Sequence, residues 1–280
     1  MTLILGMSKA DGVHLSVDYR ITSETTAPGR PATLIDDETV KHLTVHYPPS
    51  PDGPRVLLAY TGIAHLPDRS RTPVGDWLRE TLRGESEVID VSMQHLKARL
   101  DRDFARRRKP LIINGLAIEG PRRILIEFAN CEVSATSNTL EIVDSFRYTA
   151  KELTEPMVIA NGSAVGLVVA GKHRKLLASQ LNVRPRDTRD HMKLLASVNR
   201  RIAAADPEER VSPHCHVSFI GETDAPVSEV FIERGKSMPF RMPVISSGAD
   251  ISFFAEQFMA GTDLSSISPD EWNRNLKRRN

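Results

Sequence analysis

Between Leu3 and Asp18 the chain runs through an apolar stretch, a turn and a second apolar stretch. Leu3-Ile4-Leu5-Gly6-Met7 leads into Lys9-Ala10-Asp11-Gly12, and Val13 to Val17 follow. Apolar runs of this length around an Asp-Gly turn read as the two strands of a buried hairpin. The two ends of that hairpin carry the chemistry. Thr2 stands at the head of the first strand, and Asp18 is returned toward it at the end of the second. Removing Met1 would expose a threonine with both a hydroxyl and a free α-amine. The rest of the chain reads as support for that threonine.

Later segments alternate less regularly. His42–Tyr47 and Arg55–Tyr60 form a second hairpin across the Pro- and Gly-rich turn Pro48–Pro54, while Thr22–Asp37 reads as loop. Val74–Arg83 and Ser86–Arg106 are helical, the second with Ile89, Met93, Leu96, Leu100 and Phe104 three or four residues apart. Its end, Arg106-Arg107-Arg108-Lys109, suits a helix C-terminus on dipole grounds. Strands are expected at Pro110–Ile118, Arg123–Phe128, Glu132–Ser137, Leu140–Arg147 and Pro156–Asn161. Helices are expected at Ala164–Gln180 and Arg189–Ala205, and a strand at His214–Ile220. Beyond Glu222 the pattern weakens to a strand at Val227–Ile232 and short helices at Ser252–Met259 and Pro269–Lys277. Strands, helices, strands, helices and a strand in that order make an α+β fold. The simplest division is one domain over residues 2–221 with a C-terminal extension over 222–280 packed on it.

Composition narrows the function classes. The 280 residues carry a formal net charge of +1, so no global field draws the chain to nucleic acid or a membrane surface. Two cysteines, Cys131 and Cys215, make no disulfide framework and fit a reducing, cytoplasmic setting. No targeting segment is visible and no apolar stretch has membrane-spanning length. His214-Cys215-His216 has metal-binding residue types. On a strand, however, Cys215 faces away from the two histidines, so no metal and no cofactor are expected.

The N-terminal pattern resembles the proteasome β-type peptidases of the N-terminal nucleophile (Ntn) hydrolases. Their mature chains begin with threonine, followed by a strand, a turn at Asp-Gly, a second strand and Asp-x-Arg. The corresponding residues here are Thr2, Asp11-Gly12 and Asp18-Tyr19-Arg20. The resemblance extends to Lys41 at the start of the next strand, to Gly62 after Leu57–Thr61, and to Ser163 after Met157–Gly162. In the acidic and Ser-Gly region that follows the family's last helix, the nearest matches are Asp206 and Ser212, neither cleanly aligned. Residues from about 222 have no counterpart.

What the resemblance implies is a four-layer αββα sandwich and amide-bond hydrolysis by Thr2. In that scheme Asp18 orients Lys41, Lys41 lowers the pKa of the threonine amine, Gly62 donates to the oxyanion, and Ser163 bonds the amine or a bridging water. Three functions stay open: a proteasome-like threonine peptidase active in proteolysis, a small-amide hydrolase, and a non-catalytic assembly protein on the same fold. A homo-oligomer or ring is implied by the family alone.

Overall fold

The computed structural model describes residues 2–22, 32–49, 53–66, 71–84, 88–104, 109–133, 140–162, 164–183, 187–222, 227–238, 241, 243–259 and 261–276. Ser163 and Arg106-Arg107-Arg108 lie outside them. The strands are β1 (Leu3–Lys9), β2 (Gly12–Asp18), β3 (Ile21–Thr22), β4 (Leu34–Asp36), β5 (His42–His46), β6 (Arg55–Gly62), β7 (Leu111–Glu119), β8 (Arg122–Val133), β9 (Leu140–Glu152), β10 (Met157–Gly162), β11 (Cys215–Gly221), β12 (Val227–Phe231), β13 (Val244–Ser246) and β14 (Ala249–Asp250). The helices are α1 (Val74–Leu82), α2 (Ile89–Asp103), α3 (Val165–Ala170), α4 (His173–Ser179), α5 (Thr188–Ala205), α6 (Ser252–Met259) and α7 (Pro269–Leu276).

Two larger sheets hold most of the strands. One runs β10-β1-β2-β11-β12 and is antiparallel throughout. The other runs β14-β13-β5-β6-β7-β8-β9, antiparallel except where β13 lies parallel to β5. Strand alternation sorts their side chains into three apolar clusters. Leu3, Leu5 and Met7 of β1 join Val168 of α3, Leu177 of α4 and Leu195 of α5. Leu43, Leu58 and Ile113 join Trp77 of α1 and Met93 and Leu96 of α2. A third cluster takes Ile4, Val13, Leu15 and Val17 from the first sheet and Leu57, Ala59 and Leu116 from the second. The first hairpin is therefore covered on both faces, and every residue of β1 and β2 is buried.

Several expected elements need correction. Of the strand expected at Glu132–Ser137, Glu132 and Val133 belong to β8, which runs from Arg122 to Val133 with a register shift at Ala129/Cys131, and residues 134–137 lie outside the described residues. The helix expected over Ala164–Gln180 is two helices, because Lys172 after Gly171 sits at φ 59°, a left-handed conformation no helix passes through. The loop expected over Thr22–Asp37 contributes β4, which pairs with β3. Residues beyond 222 supply strands to both sheets, β12 beside β11 and β13 beside β5. Among the described residues, no helix is long and apolar enough to cross a membrane.

Candidate active site

Thr2 leads into β1 and is 2% exposed. β2 returns antiparallel to β1, with Ile4 opposite Val17, so Asp18 ends beside the start of β1. Its carboxylate accepts Leu3 N–H at 2.8 Å on Oδ1 and Arg20 N–H at 3.0 Å on Oδ2. A third bond comes from far along the chain: Ser212 N–H donates to Oδ2 at 3.0 Å. These backbone partners are all donors, which suits an ionised carboxylate.

Lys41 immediately precedes β5 and is as buried as Thr2. Its Nζ donates to Thr2 Oγ1 at 2.7 Å and stands 3.7 Å from Asp18 Oδ1. It also donates to the backbone carbonyl of Arg20. Burial pushes the Lys41 ammonium below its ordinary pKa, while Asp18, Asp37 and Asp36 act to raise it. For Asp18, burial pushes the carboxyl up, against Lys41 and the three N–H donors that pull it down. The pair carries opposite charges that each relieve the other's burial.

Gly62 ends β6 at φ 103°, and a side chain there would meet the Pro110 carbonyl at 2.0 Å, so the position admits only glycine. Two residues earlier Tyr60 N–H bonds the Lys41 carbonyl at 3.1 Å, and one residue later Ile63 N–H bonds Pro110 at 3.1 Å on the opposite side. Ladder alternation thus turns the Gly62 N–H to the side of β6 that Lys41 occupies. Gly162, at φ 105°, ends β10 against Thr2: an added Cβ would lie 1.9 Å from the Thr2 carbonyl oxygen. Thr61 Oγ1 reaches the same carbonyl at 3.5 Å.

Lys41 thus touches both Thr2 and Asp18, and Ser212 joins Asp18 through its backbone. The Ser212 hydroxyl instead accepts His214 N–H at 3.1 Å. Asp206 is directed elsewhere. It follows the last residue of α5, where it accepts Arg210 N–H at 2.7 Å and pairs with the Arg210 guanidinium at 2.8 Å. Two contributors were not among the expected site residues. The Arg20 peptide binds both Asp18 and Lys41, and Asp37 pairs with the Arg20 guanidinium at 3.1 and 3.2 Å. A backbone contribution is invisible in side-chain identity, and Asp37 lies in a segment read as loop.

Burial favours the neutral form of the histidines near this region. His42 of β5 and His216 of β11 stack with ring centroids 3.3 Å apart and both are buried. Burial lowers His216 to about 3. Cys215 sits on the opposite face in the helix-side cluster. Among the described residues no group of three or more His, Cys, Asp or Glu side chains is arranged to hold a metal.

No family model matches this chain, and no curated protein sequence does. Solved structures of Anbu are among those that align with this chain. A Gly-1 mutant of Anbu from Hyphomicrobium sp. strain MC1 is 11% identical, over 82% of this chain and 87% of its own, with TM-score 0.49. Anbu from Yersinia bercovieri, described as an ancestral beta-subunit, is 11% identical over 81% and 86%, with TM-score 0.45. The helical assembly of the Anbu complex from Pseudomonas aeruginosa is 11% identical over 92% and 93%, with TM-score 0.47.

Proposed function

We propose that this chain is a hydrolase of amide bonds that uses Thr2 as an N-terminal nucleophile, of the proteasome-like threonine-peptidase type. One observation carries this: the Lys41 ammonium lies 2.7 Å from Thr2 Oγ1 in a buried site, with Asp18 behind it. A buried lysine is costly, and one aimed at a hydroxyl stabilises that oxygen as it loses its proton. The three apolar clusters support a four-layer αββα arrangement around this site.

In the proposed reaction Thr2 Oγ attacks the amide carbon, and its proton passes to the α-amine, directly or through one water. The amine's reference pKa of about 8 suits it to the task, and the nearby Lys41 charge lowers it further. The Gly62 N–H donates to the oxyanion of the tetrahedral adduct; losing one such donor costs about 3–4 kcal/mol. The amine returns the proton to the leaving nitrogen, whose bond to carbon breaks. An ester at Thr2 remains, and water cleaves it, giving a carboxylic acid and restoring the Thr2 hydroxyl.

Intact mass is the first test, because the role requires loss of Met1. Labelling with a β-lactone or epoxyketone is the second. An adduct on the wild type that is absent from Thr2→Ala supports the nucleophile; retained Met1, or equal adducts on both proteins, overturns it. Small-amide hydrolysis on the same site is favoured instead if acyl amides are cleaved and peptides are not.

A further inference from the structure

Among the described residues, Arg20 is the one whose backbone touches both charges of the site. Its N–H donates to Asp18 Oδ2 at 3.0 Å, and its carbonyl accepts from Lys41 Nζ. Its placement therefore fixes where the ammonium stands relative to Thr2. The Arg20 guanidinium is gripped in turn. Asp37 holds it bidentately, Nε to Oδ1 at 3.2 Å and Nη2 to Oδ2 at 3.1 Å, and Nη1 donates to the Glu209 carbonyl at 3.0 Å. The pair is largely buried, with side-chain exposures of 15% and 19%. Local bonds shape the segment that delivers Asp37. Ile21 pairs with Asp36, Glu38 N–H donates to Asp36 Oδ1 at 2.9 Å, and Thr39 donates to Asp36 Oδ2.

We propose that Asp37 is a positioning residue: its fork-to-fork pair with Arg20 fixes the peptide that sets Lys41 against Thr2. This rests on the nucleophile role of Thr2. A bidentate guanidinium–carboxylate pair constrains both angle and distance, which a single hydrogen bond does not. Asp37 also acts on Lys41 through space. The charged groups around the ammonium are Asp18 on β2, Asp36 and Asp37 on the β4 segment, and the Arg20 guanidinium; the three carboxylates favour its protonated form, with Asp18 strongest.

The experiment is the rate of β-lactone adduct formation at Thr2, followed by intact mass from pH 6 to 10, on wild type, Asp37→Asn and Asp37→Glu. Thermal melts monitor folding. With Asp37→Asn the rate falls by about tenfold, and the alkaline limb of the profile moves down by roughly half to one pH unit, because Lys41 loses its proton sooner. Asp37→Glu restores the charge and most of the limb position. A merely structural Asp37 would lower the rate equally at every pH and leave the limb in place, and that result overturns the proposal. An unchanged Asp37→Asn profile also overturns it while leaving the nucleophile standing. Absence of any wild-type adduct overturns both. If Asp37→Asn does not fold, Asp37→Ser, which also removes the charge, is read by the same criteria.

Discussion

At the residue scale, the proposed mechanism makes Thr2 depend on the Asp18–Lys41 pair. Each charge is buried, so removing one leaves the other uncompensated. Lys41→Ala is expected to lower Thr2 labelling by about a thousandfold or more and to cost about 3–5 kcal/mol of stability. Asp18→Asn should destabilise similarly, while Asp18→Asn with Lys41→Ala recovers part of the loss. Denaturant midpoints of the three proteins check this; additive losses in the double variant would mean the pair is not coupled. Asp18 was legible because a hairpin fixes its distance from Thr2, whereas Lys41, which on its own reads as a solvated lysine, drew its weight from the family resemblance. Ser212 was legible only as a side chain, and its hydroxyl bonds His214 while its N–H binds Asp18. Asp206 was drawn away by Arg210, four residues on, a local pair that outweighs a distant one.

At the element scale, the ends of β6 and β10 matter more than their middles. Gly162 pairs with Leu3, and its left-handed backbone lets the strand close on Thr2. Gly162→Ala forces a contact with the Thr2 carbonyl that neither backbone can relieve. It should cost about 3 kcal/mol or more and slow Thr2 labelling. Gly120→Ala, in the β7–β8 turn with open space around it, should cost about 1–2 kcal/mol and leave labelling unchanged. Urea unfolding and labelling rates separate the two cases. Most elements could be read from periodicity and turn residues. What escaped was short or tertiary in origin. β13 is three residues long and exists because β5 offers it an edge, and β4 exists because β3 does. The break between α3 and α4 turns on the conformation of Lys172, which composition does not report.

At the scale of the whole molecule, the two-sheet core holds neutral imidazoles. Burial brings His14 and His216 to about 3 and lowers His42 well below its ordinary value, with the His42–His216 stack adding to the His42 shift. Unfolded, each takes a proton near pH 6.5; folded, each refuses it until far lower. The unfolded chain therefore binds more protons throughout that interval. Stability should be full above about pH 6.5 and fall by roughly 1.4 kcal/mol per unit per histidine as pH drops toward 3. Urea midpoints between pH 7.5 and 4.5 measure the slope, and His216→Gln should flatten it; an unchanged slope would place the titration elsewhere. The Asp18 carboxylate has one more consequence. It gathers Leu3, 15 residues away, and Ser212, 194 residues away, onto one pair of oxygens. The short loop closes early and the long one late, since closure entropy rises with the length spanned. A growing chain that has reached only α5 already contains Thr2, Asp18 and Lys41, yet lacks the peptide that completes the carboxylate's shell. Thr2 thus acquires its final setting only after the segment that follows α5 has docked, and the reactivity proposed for it becomes a clock for that late step of folding.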